Sequence, residues 1–151
     1  MGTRSTIAIK HGERIKAVYC HWDGYVDGVG ATLYEHYKAS SKANNLIALG
    51  NISSLGEEIG VAHPFSKYET LTTSKIYDEL LYETMTTFYG RDRGEEGQEF
   101  KSFGSEAEWM DYYDGSGAEY YYIMDAGVWY VSAYRKEFQP LHEAIKETAN
   151  A

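Results

Sequence analysis

Two stretches of this chain read as strand, tight turn, strand, and they constrain the fold more than any other feature. Residues 4–10, RSTIAIK, alternate with Ile7 and Ile9 on one side, HGER follows as a glycine-containing connection, and residues 14–22, RIKAVYCHW, resume the alternation. Successive side chains of a strand leave opposite faces. Ile15, Ala17, Tyr19 and His21 therefore share one face of the second strand, and Lys16, Val18, Cys20 and Trp22 share the other. AEYYYIMD and VWYVSAY flank a second turn at residues 125–127, with a glycine where a tight hairpin needs one.

Helical spacing joins Val29, Leu33 and Tyr37, with Asp27 a candidate N-cap, and LIALG predicts a short helical turn closed by Gly50. NISSLGEEIG forms a further short element. ETMTTFYG, residues 83–90, reads as a strand, and EFKSFG as a weak return strand. Ser105 and Glu108 have the spacing of a capping box ahead of a short helix. FQPLHEAIKETAN predicts an amphipathic helix with Leu141, Ala144, Ile145 and Thr148 on one face. Two hairpins without regular strand–helix alternation predict an α+β domain: an antiparallel sheet built from hairpins, with helices packed mainly on one face. Residues 1–151 read as a single domain, with 60–82 a flexible or inserted segment.

Charge narrows the partners. Acidic residues number 23 against 14 basic ones, a formal net charge of −9. A broad nucleic-acid-binding face needs Lys and Arg to neutralise phosphates, so that class is excluded, while a local phosphate pocket is not. An acidic surface also suits a basic site on another protein. The single cysteine, Cys20, leaves no intramolecular disulfide. No apolar run reaches bilayer-spanning length, and MGTRSTIAIK lacks the apolar core of a signal peptide, so a cytoplasmic protein is expected. The 15 tyrosines suit cross-strand pairs, ligand walls or interfaces, and a tyrosine-rich sheet edge would make a homodimer unsurprising.

The residues able to carry chemistry crowd at strand ends. VYCHWDGY, residues 18–25, closes a strand with Cys20, His21, Trp22, Asp23 and Tyr25. His21 and Asp23 share a face if the strand continues, which is a general-base arrangement, but a metal needs more ligands than these two supply. Cys20 and His21 leave opposite faces, so they do not form a nucleophilic pair, and Cys20 reads as a small buried hydrophobe. In RDRGEEG, extended geometry would aim Arg91 and Arg93 the same way, a fork for phosphate or carboxylate. The competing reading is a solvated turn whose arginines pair with Glu95, Glu96 or Glu99. Arg4, with Ser5 and Thr6, adds a cation at the start of the first strand. No motif requires a cofactor.

MGTRSTIAI, VYCHWDGY, LGNISSLGEEIG, TTFYGRDRGEEG and VWYVSAY, in this order, resemble a group of small uncharacterised proteins encoded by bacteriophages and prophages. The resemblance covers most of the chain apart from 61–82. It implies an accessory product acting in the host cytoplasm, where such proteins often antagonise host defence. It assigns no activity and no site residue.

The expectation is therefore a non-catalytic binding protein for a nucleotide-like signal or a host defence protein. In the nucleotide form, Arg91 and Arg93 clamp phosphate, Arg4 assists, and His21, Trp22 or Tyr25 pack on the base. The alternative is a small phosphodiester hydrolase or nuclease-like enzyme, with His21 as base, Asp23 as its orienter or a metal ligand, and the arginine pair as the transition-state clamp. Both forms require these strand ends to meet around one hollow.

Overall fold

The computed structural model of the chain describes residues 3–62 and 84–149. Strands β1 (Ser5–His11) and β2 (Arg14–Cys20) form the first expected hairpin, in register from Ser5 opposite Cys20 to His11 opposite Arg14. Strands β6 (Tyr120–Asp125) and β7 (Val128–Ala133) form the second. Its turn residues, Ala126 and Gly127, have φ of 52° and 81°, the left-handed pair that a two-residue hairpin turn requires.

The hairpins are joined side by side through β1 and β6, which run parallel. A parallel pair needs a long crossover, and here it is everything between β1 and β6, with β2 as its first, returning part. A strand buried on both faces shows a near-continuous apolar run rather than alternation. Accordingly, Ser5 through Ile9 and Tyr121 through Met124 are all buried. Short strands complete the sheet: β3 (Ile52–Ser54), β4 (Thr87–Phe88), β5 (Lys101–Phe103) and β8 (Gln139–Pro140). The order is β4-β3-β2-β1-β6-β7-β8, and β5 pairs with the outer edge of β2 alongside β3. The sheet is mostly antiparallel, with β1–β6 and β2–β3 as its parallel pairs.

One face carries α1 (Ala31–His36), α2 (Ser40–Ala48) and α4 (Leu141–Ala149), which bury Leu33, Leu46, Ile47 and Leu141 against Ile7, Ile9, Val18, Tyr122 and Met124. Burying each such aliphatic side chain contributes about 1.5–3 kcal/mol. The other face carries α3 (Glu106–Asp114), which seats Trp109 and Tyr113 on the small side chains of Ala8 and Ala17. Trp109 is fully buried, and its indole N–H donates to Thr6 Oγ1 at 3.0 Å. Ser105 caps α3 as expected: its Oγ accepts from the Glu108 N–H at 3.2 Å, while Glu108 accepts from the Gly104 N–H at 3.1 Å.

The expected 60–82 segment falls, from residue 63 on, outside the described residues. Its flanks lie together: the Glu58 N–H donates to the Thr84 carbonyl at 2.9 Å, and the Thr86 N–H to the Glu58 carbonyl at 2.8 Å. Of the strand read over 83–90, residue 83 lies outside the described residues and the described part holds the strand at Thr87–Phe88, which ends where residues 89–93 curl into a helical turn in which the Gly94 N–H reaches the Gly90 carbonyl at 2.9 Å. Among the described residues no helix is long and apolar enough to cross a membrane.

Candidate functional site

Past Cys20 the β2 ladder persists for two residues. The His21 N–H donates to the Ile52 carbonyl at 3.0 Å, and the Trp22 N–H to the Ser53 carbonyl at 3.1 Å. Asp23 then adopts a left-handed φ of 57° and the strand geometry ends. Asp and Asn tolerate that conformation better than most residues. Gly24 follows where a Cβ would lie 2.8 Å from both Ser5 Cβ and the Thr3 carbonyl oxygen, so the close approach of β1 demands glycine. The chain continues through a single π-helical turn, Val26–Gly30, into α1. A Cβ at Gly28 would fall 2.3 Å from the Asp23 carbonyl oxygen, which fixes that residue type too.

A cleft lies on each face of the sheet at this strand end, and the rings of His21 and Trp22 meet edge-on there, 4.6 Å between centroids. On the α1 side, Trp22, Asp23, Tyr25, Asp27, Thr32 and Leu55 help line a cleft of about 170 Å³. Trp22 is 43% exposed and Tyr25 39%, large apolar areas to leave in water. The Tyr25 hydroxyl donates to Asp23 Oδ1 at 3.3 Å, and the Asp23 charge is the main cause that pushes the Tyr25 phenol pKa up. Among the described residues no cationic side chain lines this cleft. Cys20 lies fully buried on this face, where burial pushes its thiol up to about 12. That thiol stays protonated and is no nucleophile.

On the α3 side, Tyr19, Asn51, Lys101, Tyr112, Tyr113 and Ser116 line a cleft of about 180 Å³. Asn51 braces it, accepting from the Tyr19 N–H at 2.9 Å and donating to Gln98 Oε1 at 3.0 Å. Lys101 Nζ stands 5.4 Å from the centre of the Tyr112 ring, and Tyr112 meets Tyr113 edge-on at 4.9 Å. His21 joins through a 2.8 Å hydrogen bond between Nδ1 and the Tyr19 hydroxyl. Arg4 joins through a 3.4 Å hydrogen bond from Nη1 to the Ser116 carbonyl. Burial raises the Tyr19 phenol pKa, and the Arg4 guanidinium pulls it the other way.

The strand-end residues thus do not gather around one hollow. Trp22, Asp23 and Tyr25 line the α1-side cleft, whereas Arg4 and His21 attach to the α3-side cleft. His21 and Asp23 do not share the expected face, because the left-handed Asp23 breaks the alternation between them. Their side chains have separate hydrogen-bond partners, Tyr19 and Tyr25.

The arginine fork does not form either. The turn over 89–93 replaces the extended geometry that would have aligned Arg91 with Arg93. Arg91 is an internal tie. Its Nε pairs with Asp92 Oδ1 at 3.0 Å, Nη1 donates to the Gly60 carbonyl at 3.1 Å, and Nη2 donates to the carbonyls of Ile59 and Thr86, each at 3.0 Å. Phe88 lies beneath, 4.7 Å from the guanidinium carbon to its ring centre. Arg93 pairs with Glu95 at 2.8 Å on the surface, as the solvated-turn reading expects.

Sequence reading passed over Asp27, Tyr19, Lys101 and Tyr112 as site residues. Tyr19 carried a usable signal, since period two places it on the His21 face. Lys101 and Tyr112 carried none, because their position depends on β5 pairing with β2 and on α3 crossing behind it. Among the described residues no group of three or more His, Cys, Asp or Glu side chains is placed to hold a metal ion.

Comparison with models of known protein families, with curated proteins and with solved structures gives no match.

Proposed function

We propose that this is an accessory binding protein of bacteriophage type, working in the host cytoplasm and antagonising a host defence system by docking on a basic site of a host protein. The observation that carries the reading is the α1-side cleft: exposed Trp22 and Tyr25 beside Asp23 and Asp27, with no cation in its lining among the described residues. Aromatic faces and carboxylates together attract a guanidinium or ammonium group. The space, about 170 Å³, suits one arginine or lysine side chain and falls short of an ordinary small-molecule pocket. The net charge of −9 steers the whole molecule toward a basic partner.

The nucleotide clamp built on Arg91 and Arg93 loses its support, since Arg91 spends its donors on carbonyls and Asp92. The hydrolase reading loses support with the separation of His21 from Asp23.

Trp22 provides the readout, because the other tryptophans, Trp109 and Trp129, are 0% and 4% exposed. A short arginine-containing peptide should change the tryptophan fluorescence saturably. Raising salt from about 0.05 M to about 0.5 M should weaken the response, and the Asp23→Asn/Asp27→Asn double variant should abolish it. An equal response from that variant, or none from the native protein, would overturn the reading.

A further inference from the structure

We infer that the α3-side cleft is a second binding site, for a phosphorylated planar ligand of mononucleotide size. Among the described residues its lining holds three tyrosines and Lys101, and no carboxylate. That is notable in a chain with 23 acidic residues. The carboxylates flanking Tyr112 and Tyr113 in sequence are neutralised from outside: Arg135 pairs with Asp111 at 2.7 Å and with Asp114 at 3.9 Å.

The aromatic component is in place without a ligand. Tyr112 is 46% exposed, with Lys101 Nζ over its ring at 5.4 Å, Phe103 tilted against it at 5.6 Å and Tyr113 edge-on at 4.9 Å. The Tyr113 hydroxyl is occupied with the Ala17 carbonyl at 3.3 Å, so that ring is fixed.

The anion component comes from three elements. Lys101 stands on β5, next to the Tyr112 ring. Arg4 precedes β1, and its 3.4 Å hydrogen bond to the Ser116 carbonyl leaves most of the five guanidinium donors for a phosphate. Gly117, at a φ of 85°, lies beside this side chain, with Arg4 Nη1 2.9 Å from where a Cβ would stand. His21 adds an imidazole at the edge of the cleft, its Nδ1 2.8 Å from the Tyr19 hydroxyl. An aromatic face beside cations stacks a base and holds its phosphate.

The volume, about 180 Å³, limits the enclosed portion to one ring system or one phosphate, below the range for larger ligands. Mononucleotides and the end of a nucleic-acid strand share this chemistry, and the assignment is to the free mononucleotide. It does not rest on the partner-docking reading and uses different residues.

The test is calorimetric titration of the full chain with AMP, GMP, CMP and UMP, and with adenosine, inorganic phosphate and a tetranucleotide. At least one mononucleotide should bind saturably, and more tightly than adenosine or phosphate by about tenfold or more. Tyr112→Ala should lose about tenfold in affinity, as removal of a stacking ring does, and the Arg4→Ala/Lys101→Ala double variant at least as much. These residues are exposed, and matching thermal melts establish that the variants fold. Asp23→Asn/Asp27→Asn should bind the nucleotide as the native chain does. Absence of saturable binding to every mononucleotide, or equal affinity in the Arg4→Ala/Lys101→Ala variant, would overturn the inference. A tetranucleotide binding about a hundredfold more tightly than any mononucleotide would overturn the small-ligand assignment.

Discussion

Arg91 shows how much a single side chain can be misread from its neighbours in sequence. Alternation with Asp92 and Arg93 suggests a ligand fork, yet the guanidinium bridges Ile59 and Gly60 on one side to Thr86 and Asp92 on the other. Its side chain is 15% exposed and that of Asp92 is 0%. Asp92 also accepts from the Phe88 N–H at 2.8 Å, so the carboxylate holds the 89–93 turn together. Removing one member of a buried ion pair leaves the other charge without its counterion, which costs about 3–5 kcal/mol. Arg91→Ala is therefore expected to destabilise the fold by roughly 3 kcal/mol in urea unfolding. The surface pair of Arg93 with Glu95 is half in water, and Arg93→Ala should cost less than about 1 kcal/mol. Equal effects from the two variants would contradict the internal role given to Arg91.

At the scale of elements, both hairpins and their facing residues were legible, because period-two alternation and turn glycines are local properties. Ile15 and Ala17 do face away from Val18 and Cys20. The Ser105 cap was legible for the same reason. The parallel joining of β1 to β6 was not, since it depends on how a crossover of about a hundred residues returns. The unbroken burial of Tyr121 through Met124 was its trace in the sequence. The site was half legible. His21 and Trp22 stay in contact where the strand ends, their rings edge-on with centroids 4.6 Å apart, yet Trp22 lines the α1-side cleft while His21 meets the Tyr19 hydroxyl. Asp23 could not be placed from sequence, because its left-handed turn follows from the close passage of Gly24 against β1. The residues of VYCHWDGY are dense because one strand end supplies two faces.

Across the whole molecule, the tyrosines that fill the core set its alkaline limit. Burial pushes the Tyr37 phenol and the Cys20 thiol up to about 12, and raises Tyr113 and Tyr122 strongly as well. In the unfolded chain these groups ionise near 10.0 for tyrosine and 9.0 for cysteine. Folding then favours the protonated form, so this stability is whole below about pH 9 and falls as pH rises through about 12. Each group contributes a loss of about 1.4 kcal/mol per pH unit in that window. Thermal melts from pH 7 to pH 11 should show a plateau and then a steep fall; a Tm rising above pH 9 would contradict the burial of these phenols. One strand end serves two clefts of opposite charge on opposite faces of the sheet. Backbone and indole NMR shifts, followed during titration with an arginine-containing peptide and separately with AMP, test this. Separate sets of residues should be perturbed: Trp22, Tyr25 and Asp27 by the peptide, and Lys101, Tyr112 and Ser116 by the nucleotide. A single set perturbed by both probes, or shifts in neither, would contradict it.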